Sequence, residues 1–349
     1  MSRHCEFLIV GGGIAGTCLA WALAERGVDF CLVDNRPAVS CSRIAAGLIT
    51  PITGPRLAVA WRWDDFWPHA VAFYERLAAR LGHPLLHHRR MVRLFASADE
   101  VRLFHERRTV DAALLIAPLD PPLPPPFRPA AFGGFEMPIT GQLDVPAFLD
   151  ASWSRFTTAG QTCSVRLDPQ SLRPAADHVA IPPLDLIANH VLFAEGFPPT
   201  ANPWFPGFPF RPAKGDILTL RIPDLGESRI VHGPVWLAPH GDGLFRCGST
   251  YEWTALDQQP TPAARESILH RLETLLTSRV DVVEHRAAVR PALRRFHPVI
   301  ARSPQTARIL ALNGLGSKGS LQAPFLADHL ARHLLDGLPL DPALRLDLV

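Results

Sequence analysis

Three glycines and one acid near the amino end carry the clearest chemistry in the sequence. Gly11, Gly13 and Gly16 stand in the spacing G-x-G-x-x-G, and Asp34 closes the next apolar run. Each glycine has its own reason to be there. Gly11 permits a tight turn, Gly13 lets the backbone approach a pyrophosphate, and Gly16 permits close packing of helix on strand. A carboxylate at Asp34 accepts hydrogen bonds from ribose hydroxyls and repels a 2′-phosphate. Ile14, Ala15 and Asn35 flank these residues and are expected to line the same site. The pattern points to a dinucleotide, but by itself it does not separate NAD from FAD.

The elements that must position these residues are legible around them. Phe7 to Val10 is a short apolar run ending at glycines, as a buried parallel strand should be. A helix from about Ile14 to Arg26 would aim its N-terminal N–H groups and dipole at phosphates, and Gly27 is a plausible stop. Val28 to Val33 reads as the second strand. Residues 7–24 contain no charge, so a signal peptide or a membrane helix would look similar. The run Gly11-Gly12-Gly13 followed by Gly16 argues against one continuous helix. Strand, turn, helix and strand explain the whole segment, and no membrane span is expected.

Composition bounds the rest. The chain has 349 residues, 35 Lys+Arg against 33 Asp+Glu, and a formal net charge of +2. That balance gives no global reason to expect nucleic acid or an anionic membrane as a partner. With 47% hydrophobic and 19% charged residues, a disordered chain is excluded. The 35 prolines imply ordered loops rather than a helical bundle, above all over 117–130, APLDPPLPPPFRPA. That stretch reads as a rigid loop crossing a surface. The six cysteines include no C-x-x-C pair, so no zinc ribbon or thioredoxin-like site is expected, and a reducing cytoplasm without disulfides is expected. His83 and His87 have helical ligand spacing, but Pro84 intervenes and no third ligand is evident. No metal is expected.

Further along, several segments resemble the glycine oxidase, D-amino-acid oxidase and sarcosine oxidase superfamily of FAD enzymes. Residues 40–54, SCSRIAAGLITPITG, resemble that family's small-residue loop against the flavin ring. Ser42, Arg43, Ala45, Ala46, Gly47 and Leu48 match it. Residues 190–196, HVLFAEG, resemble a strand beside the cofactor that closes at Gly196, although Glu195 departs from the small residue usual there. Thr162 to Leu167 is expected as a strand passing the adenine, with Val165 in contact. Residues 213–285 begin with a strand, KGDILTL, and contain a hairpin turning at His240-Gly241-Asp242-Gly243. In 313–324, NGLGSKGSLQAP, the residues Gly314, Gly316, Ser317, Gly319 and Ser320 resemble a glycine-rich helix start facing the flavin. A positive helix end there would favour reduced, anionic flavin.

The same resemblance implies the substrate site. Arg290, before Pro291, occupies the position of an arginine that anchors the substrate carboxylate, and a guanidinium can do so bidentately. Lys318 aligns with a second cation. Trp236 and Tyr251 are candidates for the pocket wall. The implied fold class is α/β: a Rossmann-like FAD-binding domain with a second, mainly antiparallel substrate domain. The former is expected to be discontinuous, over 1–81, 141–212 and 286–349, and the latter over 82–140 and 213–285. Helices are expected at 64–81, 98–109, 146–159, 262–278 and 319–336.

The implied activity is oxidation of the C–N bond of a small amino acid or N-substituted glycine. Hydride would pass to N5 of non-covalently held FAD to give an imine, and oxygen or another acceptor would reoxidise the flavin. Two alternatives stay open with the flavin kept. One is oxidation of a carboxymethylaminomethyl group on a tRNA base, hinted at by the basic run over 87–108. The other is a flavoprotein with a binding role and little turnover.

Overall fold

The computed structural model describes residues 3–107, 115–295 and 297–348. The apolar run at the amino end forms β1 (Arg3–Val10), which begins earlier than its apolar core alone suggests. The glycine turn leads into α1 (Ile14–Ala24) and then β2 (Phe30–Val33). Every residue of α1 from Ile14 to Leu23 is buried, which is why the helix shows no polar stripe. Among the described residues, no helix is long and apolar enough to cross a membrane.

Then come α2 (Trp63–Leu81), β3 (Met91–Leu94), α3 (Ala98–Arg107) and β4 (Gly134–Met137). Residues 108 and 109 of the helix expected over 98–109, and Arg108 of the basic run, lie outside the described residues. Next are α4 (Val145–Thr158), β5 (Thr162–Cys163) and β6 (Leu186–Phe193). Asp144 caps α4, accepting from Ala147 N at 3.1 Å. The strand expected over 162–167 thus lasts two residues, and Val165 falls in the loop beyond it.

The second half contains β7 (Ala213–Arg221), β8 (Ile230–His232), β9 (Trp236–Pro239), β10 (Leu244–Gly248) and α5 (Pro262–Glu273). It closes with β11 (Asp281–Arg290), β12 (Val299–Arg302), β13 (Ile309–Asn313) and α6 (Gly319–Asp336). The turn between β9 and β10 is His240–Gly243, where the hairpin was expected, while α5 stops before the 278 that apolar periodicity suggests.

Among the described residues, nine strands form a mixed sheet whose main path runs β5-β2-β1-β6-β13-β12 and ends at Arg345–Leu346. Its central pairs are parallel. Register places Val10 beside Val33 and Phe193, and Phe193 beside Ala311. The carboxyl ends of β1, β2, β6 and β13 therefore share one row, where open α/β sheets hold their ligands. One apolar cluster packs α1, α2, α4 and α6 on one face of this sheet, and a second covers the other face.

Eight strands form a second sheet, in the order β11-β7-β10-β9-β8-β3-β4 followed by Ala117–Pro118, antiparallel except for β3 with β8. The first sheet draws on residues within 3–33, 162–193 and 299–346; the second draws on 91–137 and 213–290. A small third sheet joins Leu48–Ile49 and Leu86–His88 to Gly141–Leu143. The proline-dense stretch lies against α5 and the second sheet. Arg128 N donates to Leu275 O at 2.8 Å, and Arg229 donates to Pro121 O at 2.8 Å.

Candidate active site

A cavity of about 1090 Å³ runs from the strand ends of the first sheet to the face of the second. At its first end, Gly11 has φ +108°, and a Cβ there would lie 2.6 Å from Ala194 O. Asp34 accepts a 2.6 Å hydrogen bond from Gly12 N and another from Arg36 N, so it fixes the glycine turn from below. Ser42 Oγ accepts from Ile14 N at 3.1 Å. The start of α1 has no side-chain cap, so its remaining N–H groups are open to a ligand. Gly13, Ile14, Ala15, Asp34, Asn35 and Val165 all border the cavity. Gly16 does not. It is the packing glycine, since a Cβ there would lie 1.8 Å from Gly11 O.

The 40–54 loop forms the next stretch of wall. Ser40 caps a short turn, Cys41–Ile44. Ser42 and Arg43 border the cavity, and the Arg43 guanidinium donates to Asp150 at 2.6 and 3.2 Å. Ala45, Ala46, Gly47 and Leu48 border the cavity. Gly47 has φ +71°, and a Cβ there would lie 1.9 Å from Leu143 O. Two residues without any signal in the sequence hold this strip. Buried Arg246 donates to Ile44 O at 2.9 Å and to Ala45 O at 2.8 Å. Gln142 donates to Ala46 O at 3.3 Å and to Pro239 O at 2.9 Å.

Opposite lies the start of α6. Asn313 bridges two strand ends: its Nδ2 donates to Gly196 O at 2.7 Å, and its Oδ1 accepts from Gly314 N at 2.7 Å. Gly196, Gly316, Ser317, Lys318, Gly319 and Ser320 border the cavity, whereas Gly314 packs on Leu293 outside the wall. Like α1, α6 has no side-chain cap. A Cβ on Gly319 would lie 2.9 Å from Ile14 Cγ2, so the two uncapped helix starts adjoin. Tyr74 Oη donates to Ser320 O at 2.9 Å and ties α2 to this turn. Glu195 also borders the cavity; burial pushes its carboxyl up, and Asn202 donates to it at 2.8 Å.

The far end holds the cations. Arg290 ends β11, where it donates to Ser249 Oγ at 2.7 Å and Thr250 O at 3.2 Å, with its guanidinium 4.5 Å from the centre of the Tyr251 ring. Gly215 of β7 makes room for it, since a Cβ there would lie 2.2 Å from Arg290 Nη2. No acid pairs with Arg290 among the described residues. Lys318 Nζ lies 3.4 Å from Thr53 Oγ1, and burial lowers its pKa below the ordinary lysine value. Trp236 packs over Gly248, and a Cβ there would lie 2.6 Å from Trp236 Cζ2. Met91, Arg93, Met137 and His232 complete the wall and were not read from the sequence. Burial drives the His232 imidazole down to about 4, with the Arg93 charge adding to the effect.

This donor set fits FAD. Glycine stands wherever the backbone must come close, two helix starts offer N–H groups, and a small-residue strip borders the middle of the cavity. A profile described as FAD dependent oxidoreductase (DAO) matches residues 6–333. The chain belongs to this family and is an FAD-dependent oxidoreductase. The tRNA 5-methylaminomethyl-2-thiouridine biosynthesis bifunctional protein of Marinobacter nauticus is 28% identical over 359 residues, covering 93% of this chain and 54% of that protein. The chain thus spans about half the length of the tRNA-biosynthesis relatives it matches. Glycine oxidase of Bacillus subtilis is 23% identical over 351 residues, covering 93% of this chain and 91% of that protein. Glycine oxidase from Geobacillus kaustophilus superposes with a TM-score of 0.80 at 18% identity, over 97% of this chain and 96% of that one. Iminodiacetate oxidase from Chelativorans sp. gives 0.77 at 20% identity, over 98% and 99%. At those identities the superpositions speak for the fold.

Proposed function

We propose that this enzyme oxidises the C–N bond of a small amino acid or an N-substituted glycine. The observation that carries the reading is Arg290, a guanidinium on the cavity wall that no carboxylate among the described residues pairs with. A substrate carboxylate supplies the missing charge and can be held bidentately. Lys318, across the cavity, adds a second positive charge. The names of the relatives support the class: one oxidises glycine and another iminodiacetate, both amines bearing carboxylates.

In this reading the first sheet and α6 hold the cofactor and the second sheet holds the substrate, in the discontinuous division 1–81, 141–212 and 286–349 against 82–140 and 213–285. The turn at Gly11–Gly13 and the start of α1 hold the pyrophosphate, Asp34 the ribose, and Val165 the adenine. The Ala45–Leu48 strip and the 316–320 turn hold the flavin ring. FAD is held without a covalent bond; burial keeps the Cys41 thiol, beside the cavity, protonated by pushing it up to about 11. Bound FAD would supply a two-electron acceptor for a hydride from the substrate carbon, the product being an imine that water hydrolyses, while Arg290 and Lys318 would hold the substrate carboxylate. The side chains contribute orientation and charge rather than a nucleophile. The start of α6 favours negative charge beside it, and neutral His232 adds no competing cation to the wall. Oxygen or another acceptor completes the cycle.

The test is anaerobic mixing of the purified flavoprotein with glycine, sarcosine, proline and D-amino acids. Bleaching of the flavin bands by one of them establishes the class; no bleaching by any amine carboxylate sinks it. The name of the Marinobacter relative favours a second reading, oxidation of a carboxymethylaminomethyl group on a tRNA base. The basic run speaks little for it, because three of its arginines are paired with acids: Arg90 with Glu136, Arg93 with Glu100 and Arg102 with Asp99. Flavin bleaching by a carboxymethylaminomethyl-bearing tRNA, with none by free amino acids, would select it.

A further inference from the structure

Exposed apolar side chains scattered singly are ordinary, but large ones standing side by side mark a surface that binds something. Tyr251 is 57% exposed and Trp253 is 58% exposed. Their rings stack with centroids 6.0 Å apart at 24°. Tyr251 borders the cavity, beneath the Arg290 guanidinium, and Trp253 continues the stack outward. No hydrogen bond engages the phenol or the indole N–H among the described residues.

The segment that presents them is held firmly. Lys214, 2% exposed, exchanges backbone hydrogen bonds with Glu252 at 2.8 and 2.9 Å. Its ammonium donates to Asp257 at 2.7 Å and to Gln259 O at 3.1 Å. Asp216, 1% exposed, accepts from Thr250 Oγ1 at 3.2 Å and from Thr261 N at 3.2 Å, and His285 lies 2.8 Å from it. Two buried side chains of β7, Lys214 and Asp216, thus hold the strap on both sides of the rings, Asp216 at Thr250 and Thr261 and Lys214 at Asp257 and Gln259, and the strap's outward product is a pair of bare rings. Burying polar and charged groups to order a loop is costly unless each finds hydrogen-bond partners, as both do here. The rings are displayed, not left over.

We propose that Tyr251 and Trp253 form a stacking surface for a planar ring carried by the substrate, so that the substrate is an amine carboxylate bearing a π ring rather than glycine itself. The proposal rests on the amine-carboxylate reading above and narrows it. The carboxylate sits at Arg290, and the ring lies outward along the pair, a few bonds away. Ring-on-ring contact tolerates many rings, because each has a π face. The ring could therefore be borne on the nitrogen or on the α-carbon.

The test uses the flavin-loaded full chain and reads the visible flavin spectrum. Acetate and phenylacetate are titrated into wild type and into the Trp253→Ala and Trp253→Phe variants. Phenylacetate is expected to bind at least tenfold tighter than acetate. Trp253→Ala should weaken phenylacetate five- to tenfold while acetate moves less than twofold, and Trp253→Phe should restore most of the loss. Equal affinity of wild type for the two acids, or equal losses in Trp253→Ala, would overturn the stacking surface and leave the carboxylate anchor standing. If neither acid perturbs the flavin, the anchor itself fails and the stacking surface with it. Anaerobic reduction then places the ring: N-benzylglycine faster than sarcosine puts it on nitrogen, and phenylalanine faster than alanine puts it on the α-carbon. Neither being faster counts against the proposal.

Discussion

Arg246 and Gln142 hold the Ile44–Ala46 strip by its carbonyl oxygens, and among the described residues no acid forms a salt bridge with the guanidinium. Removing it leaves buried carbonyls without donors. Arg246→Ala should cost about 2–4 kcal/mol of stability by denaturant titration and loosen the flavin, seen as a rise in free FAD on dilution. Arg290→Ala is different in kind. It should raise the substrate KM by about a hundredfold with the flavin spectrum unchanged, and Arg290→Lys should recover only part, because a point charge cannot bind bidentately. His232 gives a pH signature. Its folded pKa, about 4, lies below the ordinary 6.5, so between those values the unfolded chain takes up a proton that the folded chain refuses. Stability should therefore fall as pH drops through that window, by about 3 kcal/mol in full. Thermal melts of wild type and His232→Gln between pH 7 and 4 check this, the variant losing most of the slope.

At the scale of elements, the glycines with backbone neighbours are the positions a methyl group cannot enter. Gly16→Ala drives a Cβ toward Gly11 O, and Gly47→Ala toward Leu143 O. Both should express poorly or lose FAD, read as the ratio of flavin to protein absorbance, while Gly27→Ala, with open space around it, should retain FAD. Much of this part was legible in the sequence. The strand-turn-helix start and the hairpin at His240–Gly243 rest on local glycine spacing and apolar runs, which short windows contain, whereas the 40–54 strip and the Asn313–Ser320 turn were legible through their resemblance to the family's segments. Arg246, Gln142, Arg93 and His232 were not legible, because nothing local marks a residue whose partners lie up to 202 positions away. The strand expected past Cys163 failed for a related reason. Its pairing partner, β2, ends at Val33, so the ladder has nothing further to pair with.

At the scale of the molecule, one cavity is walled by both sheets. FAD bound there touches segments from the first fifty residues to the last forty, so it should stabilise the whole chain. At a hundredfold excess over its Kd, FAD should add about 2.7 kcal/mol, and the melting temperature of stripped protein should climb with FAD concentration in a single transition. The two uncapped helix starts that adjoin at Ile14 and Gly319 stand 305 residues apart in the chain. During synthesis the first of them leaves the ribosome 305 residues ahead of the second and waits for it. Cofactor capture is therefore a late event: nascent chains halted at Asn313 should carry no flavin, whereas chains extended past Asp336 should acquire it.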